Sequence, residues 1–281
     1  MSIKIDSLYQ ISKNYDIIIC DIWGVIHNGQ KLFSESISAL QKASKNGIKI
    51  VLLSNSPRPS SSVIEHMISL GLCKRFWDHI VTSGDLTHNL ISQGNRNIFF
   101  IGEKKDLVLF EGIDIQIVDE KNAETIICTG LYSGSKIPED YTDLLKKFAQ
   151  RKIPFICVNP DISVNYGNKI IHCAGSLALI YKKLNGIVKI IGKPHLPIYN
   201  MAFKQISDSC CQLDKKRILA IGDGIETDIK GAIQSGLDSL YVGKGIHANE
   251  YLENKQINVK MMEKFFINKN IQPNWWIPKL I

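Results

Sequence analysis

Asp21 closes the apolar run Asp16-Ile17-Ile18-Ile19-Cys20, and anion-handling residue types stand at comparable places farther along the chain. Ser54-Asn55 follows Ile48-Lys49-Ile50-Val51-Leu52-Leu53, and Lys193 follows Val188-Lys189-Ile190-Ile191-Gly192. Gly222-Asp223-Gly224-Ile225-Glu226-Thr227-Asp228 then follows the run from Arg217 to Ile221. A carboxylate beside a lysine and a hydroxyl suits a nucleophile, with the cation and the donors holding a phosphoryl group. The acidic residues at 223 and 228 suit a hard cation such as Mg²⁺, which prefers oxygen ligands. Taken singly, each has an ordinary explanation. An Asp after a strand often caps or turns, Ser54-Asn55 before Pro57 makes a good turn, and a lysine before proline is commonly solvated. The run 222–228 also reads as a loop leading into an N-capped helix. It is the order of the four groups, one per strand end, that favours chemistry.

The elements that must position them alternate between strand and helix. Asp16 to Cys20 reads as a strand buried on both faces. A helix with Ser34 as cap follows, carrying Ile37, Leu40 and Ala43 on one face and ending at Gly47. Ile48 to Leu53 is the next strand. The helix after it carries Val63, Met67 and Leu70, with Ser62 and Glu65 spaced as a capping box. His79 to Thr82 and a helix from Gly84 to Gly94 complete a βαβαβα unit, which implies a parallel sheet with helices on both faces. The rhythm returns late, with strands at Val188–Ile191, Arg217–Ile221 and Leu240–Val242. Helices run there from Pro197 past Ile206, and through Ile229, Ala232 and Ile233 to Gly236. Residues 96–185 hold αβ units of their own: Ile98–Ile101, Thr125–Cys128, Pro154–Val158 and a helix over Tyr141–Gln150. The expected organisation is therefore α/β, with a Rossmann-like core from 1–95 and 186–281 and a second α/β domain inserted at 96–185. Residues 254–281, with Pro273-Asn274-Trp275-Trp276, read as an apolar plug on the core.

Composition narrows the function. The 281 residues prescribe a prior near two domains and ample length for a core. No apolar run approaches a membrane span, and the start MSIKIDSLYQ has no signal-like apolar stretch, so a cytoplasmic protein is expected. The net charge of +7 is spread out, with no basic stripe of the kind nucleic acid or an anionic membrane surface requires. Such a field does suit steering of a small anionic substrate. Seven cysteines form no CxxC and no zinc spacing; they read as reduced, buried thiols, with Cys210–Cys211 a packing pair.

Four ordered matches carry a family resemblance: Asp21-x-x-Gly24-Val25, Leu53-Ser54-Asn55, Gly192-Lys193-Pro194 and Gly222-Asp223-Gly224-x-x-Thr227-Asp228. Val158-Asn159-Pro160-Asp161 and Cys173-Ala174-Gly175-Ser176 add two matches outside the chemistry. On these residues, from about Tyr15 to Gly243, the sequence resembles the haloacid dehalogenase (HAD) superfamily, class IIA, the NagD-like phosphatases. The resemblance implies an inserted cap of the C2 type and a Mg²⁺-dependent phosphatase acting on a small phosphorylated metabolite. It makes Asp21 the nucleophile that becomes an aspartyl-phosphate, Ser54 and Asn55 the holders of phosphoryl oxygens, and Lys193 the balancing charge. It gives Mg²⁺ to Asp21, the Trp23 carbonyl and Asp223, with Asp228 orienting metal-bound waters. Caps of this class often mediate dimers, which makes a homodimer through the cap the partner expectation.

One position departs from the family. HAD phosphatases place a second Asp two residues after the nucleophile as general acid, and here Trp23 stands there. An indole N–H does not ionise usefully near neutrality, and loss of a general acid typically costs about 10²–10⁴ in rate. Three readings follow. The chain is a phosphatase with another acid, for which His27 and then His195 are candidates, or with a good leaving group such as an aryl or acyl phosphate. It is a phosphometabolite-binding protein without turnover. Or it is a dehalogenase, a branch that also has an aromatic residue there but needs no metal. The cap loops Tyr132-Ser133-Gly134 and Asp161 to Tyr166 are expected to face the leaving group.

Overall fold

In the computed structural model, which describes residues 2–132, 137–167, 169–209 and 213–281, Ile17–Cys20 is a strand with every residue buried. Successive side chains alternate between two helical layers, as a strand's period of two requires. Ile18 and Cys20 pack with Leu40, Ala43, Val63 and Met67 from the helices Ser34–Lys45 and Ser60–Ser69. Ile17 and Ile19 pack on the other face with Ile198, Tyr199, Ala202 and Phe203 of the helix Leu196–Ser209. That double burial is why the run is continuously apolar.

Seven strands form the central sheet, in the order Ile3–Lys4, Trp275–Ile277, Asp238–Val242, Ile218–Gly222, Ile17–Cys20, Lys49–Ser54, His79–Thr82. All neighbours are parallel. From Ile17–Cys20 the chain winds outward to His79–Thr82, and on its return it fills the opposite side. The reversal falls between Ile17–Cys20 and Ile218–Gly222, and ligands of open α/β sheets bind beyond the carboxyl ends at such a point. Cys20 is level with both Leu52 and Ile221. Asp21, Ser54 and Asp223 therefore leave the sheet side by side.

A second parallel sheet has the order Val188–Ile190, Phe155–Cys157, Thr125–Cys128, Asn97–Ile101, Gln116–Ile117. Leu145, Phe148, Leu177 and Tyr181 cover one face; Leu109, Phe110 and Val158 belong to the cluster on the other. From its carboxyl side projects an antiparallel hairpin, Ser163–Tyr166 with Lys169–His172, which the sequence reading did not contain.

Several expectations need correction. Val188–Ile190 pairs with Phe155–Cys157 rather than joining the central sheet. Periodicity identifies a short apolar strand but not its sheet, so Lys193 comes from the end of the second sheet, which extends past residue 185. Ser62 and Glu65 lie inside the helix Ser60–Ser69, whose start has no side-chain cap of its own. Asp85 serves that end instead, accepting from Ser60 N at 2.9 Å. Asp85 also completes a capping box with Thr82 on the helix Ser83–Ile91. The tail is more than a plug: Trp275–Ile277 is a strand between Asp238–Val242 and Ile3–Lys4. Cys20, Cys128, Cys157 and Cys173 are buried free thiols, whereas Cys73 is exposed. Cys210 and Cys211 lie outside the described residues. No helix among the described residues is long and apolar enough to cross a membrane.

Candidate active site

Asp21 N–H donates to Ile221 O at 2.8 Å, so the last rung of the sheet ladder fixes the residue that leaves it. The loop then curls tightly, with Ile26 N–H on Ile22 O and Gly24 N–H on His27 O, both at 2.8 Å. Gly24 adopts φ +93°, and a Cβ there would stand 2.2 Å from Asp223 Oδ2. A glycine is thus required twice over, for the dihedral and for the approach of Asp223. On the neighbouring strand end, the Asp228 loop is a π-turn, Ile225–Ile229, continued by the helix Lys230–Ser235. Gly224 O accepts from both Asp228 N (2.9 Å) and Ile229 N (3.1 Å). Such widened turns recur at functional sites because they re-aim a side chain.

Lys193 joins these elements. Its Nζ donates to Asp21 Oδ1 at 2.5 Å, Asp228 Oδ1 at 2.7 Å and Leu53 O at 3.0 Å, which accounts for all three ammonium protons. Its backbone N–H donates to Asn55 Oδ1 at 2.8 Å. The same Asn55 donates through Nδ2 to Asp161 Oδ1 at 2.9 Å, linking the core to the loop before the hairpin. Ser54 Oγ accepts from Ser56 N–H at 3.1 Å and keeps its own proton for another acceptor. Asp228 Oδ2 is taken by Gly224 N–H (3.0 Å), and Asp223 Oδ2 by Ile246 N–H (2.8 Å).

The electrostatics are dominated by burial. Carboxylate oxygens of Asp21, Asp223 and Asp228 lie within 4.8 Å of one another, and all three side chains are buried with one ammonium among them. Burial and then the Asp228 charge push the Asp21 carboxyl well above the usual carboxylate range, against the pull of Lys193. Asp223 is raised for the same leading reasons, to about 7. Burial works against the Lys193 ammonium, but Asp21 and Asp228 outweigh it and hold its pKa well above normal. Three carboxylates facing one ammonium leave an excess of two negative charges. Protons or a divalent cation are the two ways to compensate it, and an all-oxygen donor set of this size fits Mg²⁺ chemistry.

Every candidate named from the sequence's strand ends, namely Asp21, Trp23, Ser54, Asn55, Lys193, Asp223 and Asp228, lines one cavity of about 730 Å³. A second groove of about 710 Å³ lies away from them, between residues 7–12 and the helix Ser34–Lys45. Trp23 does not offer its N–H to that space: Nε1 donates to Asn165 O of the hairpin at 2.8 Å. Its ring lies 6.2 Å from that of Tyr166 and 4.9 Å, edge-on, from His27. Gly167 N–H donates to Asn28 O at 3.0 Å, so this bond and that of Trp23 pin the hairpin to the loop after Asp21. A Cβ on Gly29 would press 2.6 Å against both Trp23 and Tyr166.

The proposed substitute acids fail on geometry. His27 does not line the cavity; it is buried, and its Nδ1 accepts from Gly29 N–H at 3.0 Å. Burial first, then His66 and Arg58, pull its pKa down to about 3, so near neutrality it is a neutral imidazole and not the imidazolium a general acid requires. His195 is also outside the cavity lining, and burial lowers its pKa. Of the two cap loops, Asp161, Ser163, Val164, Asn165 and Tyr166 line the cavity. Tyr132 does not, and its hydroxyl donates to Phe100 O at 3.0 Å; Ser133 and Gly134 lie outside the described residues. Sequence reasoning missed Arg58, His66, Lys105 and Asp106, which also line the cavity. Arg58, three residues after Asn55, was the one with a positional signal.

A family model described as haloacid dehalogenase-like hydrolase matches residues 18–116, and another described as HAD-hydrolase-like matches residues 190–263. A solved hydrolase of the haloacid dehalogenase-like family from Brucella suis 1330 is 42% identical in sequence. The match covers 99% of this chain and 100% of that one, with a TM-score of 0.89. A curated relative from Staphylococcus epidermidis, named acid sugar phosphatase, is 22% identical over 249 residues, 87% of this chain and 93% of its own. NagD from Escherichia coli shares the fold at a TM-score of 0.66 and 19% identity, with 94% of this chain and 96% of that one covered.

Proposed function

The chain belongs to the haloacid dehalogenase-like family of hydrolases, and within it we propose a Mg²⁺-dependent phosphatase that hydrolyses a small phosphomonoester through an aspartyl-phosphate on Asp21. The observation that carries the reading is Lys193 Nζ set between Asp21 (2.5 Å) and Asp228 (2.7 Å), beside the Ser54-Asn55 strand end. The name of the Staphylococcus relative, acid sugar phosphatase, supports the same reaction class. Asp21 and Asp223, with the Trp23 carbonyl, would hold Mg²⁺, and Asp228 would hold Lys193 and the Gly224 loop beside it. When bound, the ion supplies positive charge that screens a phosphate dianion from the attacking carboxylate.

The chain's own residues then do the following. Ser54 Oγ–H and the second Asn55 Nδ2 proton are available to phosphoryl oxygens, and Lys193 supplies charge without needing to move. A carboxylate oxygen of Asp21 bonds to phosphorus as the ester P–O bond breaks, and the leaving oxygen departs with the electron pair. Water then attacks the acyl phosphate, releasing inorganic phosphate and restoring Asp21. Positioning and electrostatics carry most of such a transfer. We read residues 1–95 with those after Ile190 as the catalytic body, and the intervening sheet with its hairpin as the cap that excludes water.

With Trp23 bonded to Asn165, the family's usual acid position donates no proton, so leaving groups of low pKa, aryl or acyl phosphates, are favoured over sugar alkoxides. That same bond favours a second reading, a phosphometabolite-binding protein without turnover. Dehalogenation is disfavoured by the buried pair Asp223 and Asp228, which that chemistry does not need. Phosphate release in Mg²⁺ by the wild type and by Asp21→Asn, over aryl, acyl and sugar phosphates, decides among them. Release that depends on Asp21 and is biased to aryl and acyl substrates is expected. No release from any of them, by a folded protein, would move the assignment to the binding protein.

A further inference from the structure

Beyond the phosphoryl cradle, the cavity has a charged wall that the chemistry above does not use, two cations, Arg58 and Lys105, beside two carboxylates, Glu103 and Asp106. Arg58 lines it from the turn after Asn55, with a side chain only 23% exposed. Its nearest carboxylate is Asp106, met by Nε at 3.8 Å, too long for a hydrogen bond. The other Asp106 oxygen accepts from Thr129 Oγ1 at 2.9 Å. Among the described residues, no hydrogen bond occupies the two terminal nitrogens of the Arg58 fork. Lys105 reaches the same cavity from the cap segment Lys104–Phe110 and pairs with Glu103. His66, from the helix Ser60–Ser69, also lines the cavity, and its Nε2 is buried without a hydrogen-bond partner. Buried polar atoms are nearly always paired, and the His66 ring packs edge-on against His27 at 5.4 Å.

Apart from burial, His66 answers to Arg58 and Lys105, while Asp21 and Asp223 answer to Asp228 and Lys193. Burial raises the Asp106 carboxyl, while Thr129, Arg58 and Lys105 pull it the other way. The terminal nitrogens of the Arg58 fork thus stand without a hydrogen bond among the described residues, and their planar pair of donors matches a carboxylate or phosphate two bonds at a time.

We propose that Arg58, with Lys105 as a second charge, binds an anionic group on the alcohol side of the substrate, either a carboxylate or a second phosphate. The inference rests on the phosphatase reading for the word substrate, but its test need not involve turnover. Asp21→Asn protein is titrated calorimetrically in Mg²⁺ with phenyl phosphate, 4-carboxyphenyl phosphate and benzene-1,4-diyl bisphosphate. One of the two ligands that carry a second anionic group should bind at least tenfold more tightly than phenyl phosphate, and which one identifies the carboxylate or the phosphate. Adding Arg58→Gln should cut that preference at least tenfold. Arg58→Lys, which keeps the charge but not the fork, should retain only part of it and controls for folding. Equal affinity for all three ligands, or an Arg58→Gln loss that is the same for phenyl phosphate, would overturn the proposal. Phosphate release from phenyl phosphate by the wild type judges the phosphatase reading separately: a silent enzyme that keeps the anion preference loses the reaction and keeps the subsite.

Discussion

Replacing Asp223 with asparagine should make the metal-free protein more stable and abolish turnover. The Asp223 side chain is buried, and its Oδ2 accepts from Ile246 N–H at 2.8 Å, a bond that an amide oxygen keeps. Burial and then the Asp228 charge raise its pKa from 3.8 to about 7. A carboxyl raised in the folded state binds its proton more tightly there than in the unfolded chain. Its contribution to stability is present below about pH 4 and is lost as pH rises through about 7. About three units at 1.36 kcal/mol each amount to up to about 4 kcal/mol. Asp21 is raised too and acts in the same direction. At pH 8 in chelator, Asp223→Asn removes the cost and should raise the thermal midpoint by several degrees, at about 2 °C per kcal/mol for a chain of this size. At pH 5 the gain should shrink, because the wild-type carboxyl is then protonated. Mg²⁺ should raise the wild-type midpoint at pH 8 and leave the variant's nearly unchanged, since binding only the folded state stabilises by mass action. The assay is thermal unfolding from pH 5 to 8 with Mg²⁺ or chelator. A variant no more stable than wild type at pH 8 without metal, or equally stabilised by Mg²⁺, would refute the reasoning.

Other perturbations test other parts of the site. Lys193→Met leaves Asp21 and Asp228 without their shared cation and should cost about 3–5 kcal/mol at pH 8 in denaturant unfolding, less at pH 5, with phosphate release lost. Gly24→Ala forces a Cβ to within 2.2 Å of Asp223 Oδ2 at a φ of +93°, so the Mg²⁺-induced shift in midpoint should disappear; a normal shift would show that the loop yields. Trp23→Phe removes the indole bond to Asn165 O, worth about 0.5–1.5 kcal/mol; hydrogen exchange across 163–172 should quicken by up to about tenfold, and unchanged protection would mean the bond does not hold the hairpin. His27, with its pKa pulled to about 3, should show neutral imidazole resonances from pH 5 to 8 by NMR. Its contribution to stability is lost as pH falls below the ordinary His value, and an ordinary midpoint near 6.5 would refute the burial argument.

The sequence made the central sheet legible because burial on both faces leaves an unmistakable apolar run, as at Ile17–Cys20, and because parallel sheets put chemistry at strand ends. The positions of Asp21, Ser54 and Asp223 follow from that geometry alone. What escaped was set by tertiary partners. Nothing in Val188–Ile190 itself says that it pairs with Phe155–Cys157. The spacing of Ser62 and Glu65 is a valid capping box, yet Asp85, twenty-five residues after Ser60, takes the helix start instead. His27 looked like an acid because its type and its distance from Asp21 along the chain were right; burial, invisible in one sequence, makes it a neutral acceptor for Gly29 N–H. His66 gave no signal, and Arg58 only its nearness to Asn55, because both have meaning only once residues 103–106 of the cap line the same cavity.

Trp23 shows how one exchange moves energy from chemistry to closure. A general acid supplies about 10²–10⁴ in rate, whereas a neutral hydrogen bond to Asn165 contributes about 1 kcal/mol to holding the hairpin. For a leaving group that needs a proton, the exchange is a net loss by a wide margin. It becomes neutral only where the leaving oxygen is stable as an anion or where no bond is broken. The first case keeps the enzyme and points to aryl or acyl phosphates; the second keeps only the cradle. Asp21, Lys193 and Asp223 lie together in a buried cluster with an excess of negative charge that a binding protein would not need. Mere phosphate binding is better served without the repulsion of a carboxylate nucleophile. That repulsive arrangement beside an indole therefore favours the proposed turnover of an activated phosphate over mere binding.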